Sequence, residues 1–193
     1  MAFLSEPMRA CRWIPLLVWL TPLLPSRAPA QEAPATLERQ VKAAYLLNFT
    51  RYVDWPAATF ADSAAPVTLC IAGGDEAMPE IVRQTIEGRR SRGRPVRLIR
   101  PDVPAQAGDC QVVFLPAETP LAGTWLSALR GTPTLTVGEG PEFVRQGGMV
   151  AFVIVDQTVR FLIDNATARA SGLRISSRVL ALAARPEQVG GLR

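Results

Sequence analysis

The chain has 193 residues, a formal net charge of +4, three cysteines and no histidine, and 48% of it is hydrophobic. That length suits one domain around a single core, and the charge describes a weakly basic surface. The missing histidine excludes a Ser-His-Asp triad and a histidine-based zinc site.

Residues 1–30 read as a secretory signal peptide. Arg9 and Arg12 precede an apolar run from Trp13 to Leu24, and Ala28-Pro29-Ala30 is an A-x-A cleavage site. The competing reading is an uncleaved anchor. The run is shorter than the roughly 20 residues a spanning helix needs, and Pro15, Pro22 and Pro25 interrupt it. Residues 31–193 then form a single α/β domain.

The first element is a helix ending at Asp54-Trp55-Pro56, because proline cannot continue it. At 100° per residue, Leu37, Val41, Ala44, Tyr45, Leu46, Phe49 and Val53 fill an apolar arc roughly 200° wide. Lys42 and Asn48 fall inside that arc, and Asn48 is expected as a buried hydrogen-bonding residue. Trp55 either plugs the edge of the core or joins an apolar contact surface, where tryptophan is enriched.

Val67–Ala72 is a continuous apolar run, as expected of a strand buried on both faces. Gly73, Gly74 and Asp75 follow at the edge where open α/β sheets hold ligands. Two glycines most simply allow a tight turn. Their functional alternative is a small anion held by backbone N–H groups before a helix over Pro79–Glu87. Gly138-Glu139-Gly140 and Gly147-Gly148 occupy similar loop positions. Asp75 and Glu76 more simply cap a helix or face water, so no catalytic residue, metal or cofactor is expected. The run Arg89-Arg90-Ser91-Arg92-Gly93-Arg94 is a solvated loop or a contact for anionic groups.

Strands are expected at Pro95–Arg100, Cys110–Leu115 and Thr134–Val137, with a helix over Thr119–Arg130. Cys70 and Cys110 remain after export, and an even count in an oxidising compartment suggests a disulfide. Two buried thiols are the alternative. Met149–Val155 and Thr158–Asp164 flank the two-residue connection of a hairpin. Asn165 is expected to cap a helix through Ala170, and a last helix over Arg178–Ala184 should dock on the core. This order predicts a three-layer, Rossmann-like α/β sandwich with a mixed, mainly parallel sheet and an antiparallel C-terminal hairpin.

Ala43-Ala44-Tyr45, Asn48-Phe49 and Trp55-Pro56 resemble the opening helix of the YfiR family. A second block resembles its C-terminal part: Gly147-Gly148-Met149, Val159–Asp164 and Ala170–Ala183. The resemblance implies a periplasmic protein that represses an inner-membrane diguanylate cyclase, and so lowers cyclic di-GMP and biofilm formation. It implies as partners the cyclase's periplasmic domain and an OmpA-like outer-membrane lipoprotein. A second copy of the chain is a further candidate partner; nucleic acid is not expected. Family members often carry a cysteine pair in this part of the chain, which supports the bridge. Trp55, Phe152, Phe161, Leu173 and Ile175 are the candidate partner contacts. The second hypothesis is a small-ligand-binding or weakly enzymatic domain using the edge near Gly73–Asp75, or the sensor partner of another membrane receptor.

Overall fold

The first helix is built from residues that favour helix, and tertiary contacts decide which of its apolar residues are covered. In the computed structural model, which describes residues 32–74, 76–185, 187 and 189, α1 spans Glu32–Tyr52. The signal peptide assigned to residues 1–30 lies outside the described residues. The buried face of α1 carries Ala43, Leu46, Leu47, Phe49 and Thr50. Thr50 is affordable there because its Oγ1 donates to the Leu47 carbonyl at 2.7 Å. Leu37 is 61% exposed, and Ala44 also faces solvent. The covered face is thus turned by about a third of a turn from the arc the apolar pattern marks. Val41, Tyr45 and Tyr52 are left at its margin. The helix stops at Tyr52 because Val53–Asp54 (β1) pair antiparallel with Arg174–Ile175 (β9).

The main sheet has seven strands: β2 (Val67–Ile71), β3 (Arg90–Ser91), β4 (Arg94–Ile99), β5 (Val112–Phe114), β6 (Leu135–Glu139), β7 (Val150–Val155) and β8 (Thr158–Ile163). Their order is β3-β4-β2-β5-β6-β7-β8. The central five run parallel, while β3 and β8 pair antiparallel at the two edges. Asp156 and Gln157, which join β7 to β8, both take positive φ. That is the backbone of a tight hairpin matched to strand twist.

Helices cover both faces, which gives the three layers. On one side α1 and α2 (Ala77–Ile86) pack with α5 (Asn165–Ala170) and α6 (Ser177–Leu180) over Leu69, Ile71, Phe114 and Phe152. On the other, α3 (Ala122–Leu129) and α4 (Pro141–Arg145) cover Cys70, Val113, Leu115 and Ala151. Five residues cannot sustain a helix in isolation, and α4 is held by Phe143. Gly138 and Gly148 leave the slot for that ring, since a Cβ at either position would overlap it.

The C-terminal part differs from expectation in two places. The cap of α5 is Asp164, not Asn165: its carboxylate accepts from the Ala166 and Thr167 N–H groups at 3.0 Å. Burial pushes the Asp164 pKa up, but these bonds and that from the Thr167 hydroxyl more than reverse the effect and hold it below 3.8. The last helix ends at Leu180 rather than Ala184, and Leu182, which falls inside the expected helix, is 60% exposed.

Cys70 and Cys110 form a disulfide with Cα atoms 5.9 Å apart. It closes a separation of 40 residues between adjacent parallel strands. Both half-cystines are buried. In the chain-entropy account such a bridge stabilises by about 4 kcal/mol. Cys70→Ala with Cys110→Ala is expected to lose about that much unfolding free energy in urea. Asp164→Ala should cost about 1 kcal/mol at neutral pH. Because the folded carboxyl titrates low, that contribution is complete above the unfolded value and fades as pH falls through the folded one. A pH series of urea melts on parent and variant checks this.

Candidate functional site

Counted from β2, the parallel strands lie in the order second, first, third, fourth, fifth, so the order reverses between β2 and β5. Ligands in open α/β folds bind outside the carboxyl ends of strands at such a point. Gly73 and Gly74 stand there, both with positive φ. The loop after β5 fills the space. Thr119 Oγ1 donates to the Ala72 carbonyl at 2.7 Å. A Cβ on Gly73 would come 3.3 Å from Thr119, and one on Gly74 2.8 Å from Pro116. The glycines therefore serve close packing of two loops. Asp75, the third residue assigned to a ligand loop, lies outside the described residues.

An open cleft of about 170 Å³ lies along the same edge toward β6, lined by Glu38, Arg39, Lys42, Phe114, Pro116 and Glu139 among others. At its centre the buried Lys42 ammonium donates to Glu139 at 2.6 Å and meets Glu38 at 2.5 Å. Burial alone would lower the Lys42 pKa. Hydrogen bonds to Glu139 and Glu38, with their charges, outweigh that and raise it above 10.5. The triad pins α1 to the end of β6. Lys42 stands out in the apolar pattern of α1, but its partner Glu139 is 97 residues away and carries no local signal.

A third feature is a groove of about 310 Å³ between α1 and α6, lined by Tyr45, Asn48, Phe49, Tyr52, Arg178 and Leu182 among others. Its floor is aromatic. Phe161 meets Tyr45 and Phe49 edge-on, with ring centroids 5.1 and 5.4 Å away. Its rim is open: Tyr52 is 37% exposed, Leu182 more so, and Arg178 is exposed. Asn48 is half-buried at this groove rather than buried in the core.

Four of the five residues assigned to partner contact are core. Phe152, Phe161, Leu173 and Ile175 are buried against α1, β5 and α6, so their side chains are not on the surface. Strand alternation and helix docking turn them inward. Exposed apolar groups near them include Tyr52, Leu182 and, on β7, Ile154. A last helix running to Ala184 would turn Leu182 inward; α6 stops at Leu180 and leaves it in water. Trp55 is half-buried, and its Nε1 donates to the Gln111 carbonyl at 3.1 Å. Its ring lines a cleft of about 230 Å³ with Phe60, Arg92 and Arg94.

Lys42→Met would leave Glu139 and Glu38 facing each other across the cleft without their cation. A loss of about 1–3 kcal/mol in unfolding free energy is expected, since both carboxylates keep some water contact. The parent's Lys42 contribution is complete at neutral pH and disappears only as pH rises through a value above 10.5. Urea melts at neutral and alkaline pH test both statements.

No curated protein matches the chain. Among solved structures, a C-DES mutant with glycine covalently linked to its PLP cofactor is similar at 14% identity and a TM-score of 0.35. The similarity covers 82% of this chain and 50% of that one, so the chain spans about half that protein's length. A likeness so distant says nothing about chemistry here. The Cys70–Cys110 bridge fits an oxidising compartment. Among the described residues no helix is long and apolar enough to cross a membrane. A family model described as YfiR/HmsC-like matches residues 39–184, three-quarters of the sequence and nearly all of the α/β domain, and the chain belongs to that family.

Proposed function

We propose that this protein is a periplasmic regulator in cyclic di-GMP signalling that holds the sensor domain of an inner-membrane diguanylate cyclase in an inactive conformation. Family membership supports the regulatory role. The observation that carries the mode of action is the α1–α6 groove, an aromatic concavity whose rim leaves Tyr52 and Leu182 in water. Such surfaces supply the anchor pockets of protein interfaces, and Arg178 on the rim suits a carboxylate beside an apolar anchor. The groove replaces the buried Phe152, Phe161, Leu173 and Ile175 as the contact surface.

Repression follows if the groove binds one cyclase conformation more tightly than the other, by about 1.4 kcal/mol for each tenfold shift in population. An OmpA-like outer-membrane lipoprotein that covers the same groove releases the cyclase by competition. A second copy of the chain is an alternative occupant. The small-ligand reading has less support, because Thr119 and Pro116 occupy the space beside Gly73 and Gly74.

Deletion of the gene is expected to raise cellular cyclic di-GMP, and the parent gene restores it. Leu182→Asp and Tyr52→Ser should fail to restore it while exporting normally and melting within a few degrees of the parent, since both side chains are exposed. Loss of an interface anchor of this kind costs about 2 kcal/mol, roughly a thirtyfold weaker complex. Full restoration by both variants would remove the groove from the mechanism.

A further inference from the structure

The opposite use of charge is found at the β3–β4 edge of the sheet. Six arginines fall within twelve residues: Arg89, Arg90, Arg92, Arg94, Arg97 and Arg100. Among the described residues two of them meet a carboxylate, Arg92 with Asp54 and Arg100 with Glu76. Three of the others are spent on neutral oxygens. Arg90 donates to the Gly93 carbonyl, Arg94 to the carbonyls of Asp62 and Ala65, and Arg97 to the Thr68 hydroxyl. A carbonyl orients a guanidinium without cancelling its charge. The Asp62 carboxylate is turned to its own loop, accepting from the Ala64 and Ala65 N–H groups.

The turn is fixed in place. Ser91 Oγ donates to the Thr50 carbonyl at 2.6 Å, and Arg92 Nε to the Arg51 carbonyl at 2.9 Å. These contacts fasten the hairpin to the end of α1 and hold the charges as a ridge. Beside the ridge lies the cleft of about 230 Å³ lined by Trp55, Phe60, Arg92 and Arg94, with the Arg94 guanidinium 4.1 Å above the Phe60 ring. Tryptophan and arginine side by side are the groups that settle at the headgroup level of a bilayer. A protein in an oxidising compartment meets polyanions as lipid headgroups sooner than as nucleic acid.

We infer that the β3–β4 hairpin, with the Trp55–Phe60 cleft beside it, is a contact surface for an anionic lipid bilayer. Each basic side chain held near such a surface strengthens partition about fivefold, and salt screens the attraction. The inference goes beyond the proposed repression and needs no cyclase. Contact with the leaflet that holds a membrane partner would confine the search for that partner to a plane.

The test is co-sedimentation of the purified protein with vesicles of phosphatidylcholine alone or with about one-third phosphatidylglycerol. Retention is expected on the anionic vesicles at low salt, with release on raising salt to about 0.5 M. Arg89→Gln with Arg90→Gln, both exposed, should weaken retention roughly 25-fold. Arg83→Gln, on α2 and paired with Glu80, should leave it unchanged. Trp55 emission should shift to the blue on binding. Absence from both vesicle types, equal retention on both, or equal weakening by Arg83→Gln would overturn the inference. If the Arg89, Arg90 variant binds vesicles like the parent but no longer lowers cyclic di-GMP, the ridge serves an acidic protein and the lipid contact is wrong.

Discussion

The fold turns on how the chain enters β5. Gln111, just before that strand, is buried and uses both its backbone and its side chain. Its N–H donates to the Thr68 carbonyl, and its Oε1 accepts from the Thr68 N–H at 2.7 Å. Its carbonyl accepts from the Leu135 N–H and from the Trp55 indole. The residue before it is bonded covalently to Cys70. One amide side chain and one disulfide thus set the register of β2, β5 and β6 and attach the turn that follows α1. Polar groups so placed in a low-dielectric interior specify one arrangement, because every slipped alternative leaves some of them unpaired.

From that node the two faces of α1 take different roles. Its inner face closes the larger core over the sheet. Its margin reaches α6 and leaves an aromatic groove, while Lys42 nearer its start reaches the end of β6. The expected ligand point is packed shut by Thr119 and Pro116, and the open surfaces of the domain flank the helix instead.

The long elements were legible in the sequence because their patterns are local. VTLCIA and CQVVFL are short apolar runs that suit a doubly buried strand, and the Asp156-Gln157 connection sits between two strand-like segments. The disulfide was legible as a possibility, since it needs only neighbouring strands with an offset register. The short pieces were not. Two-residue strands such as β1, β3 and β9 have no period, and α4 is shorter than the window in which helical spacing can be seen. The covered face of α1 is not legible for a different reason. Periodicity tells which residues are apolar, but the choice of which are covered belongs to the sheet beneath. Burial of Phe152 and Phe161 follows from strand alternation, whereas exposure of Leu182 depends on where α6 ends, a boundary that sequence places poorly.

The Phe143 ring occupies a notch made by two absent side chains, Gly138 on β6 and Gly148 just before β7. The wall beside Glu139 and Gly140 is therefore keyed by a peg in a hole, in addition to the backbone bonds from Gly140 N–H to the Phe152 carbonyl and from Gly148 N–H to the Phe143 carbonyl. Such a joint fails steeply: one added methyl group at either glycine evicts the peg, and the five-residue helix it carries then keeps only the Val144 packing, its Glu142–Arg145 pair and its own backbone bonds. The least forgiving points in this domain are two places where the chain contributes only a hydrogen atom.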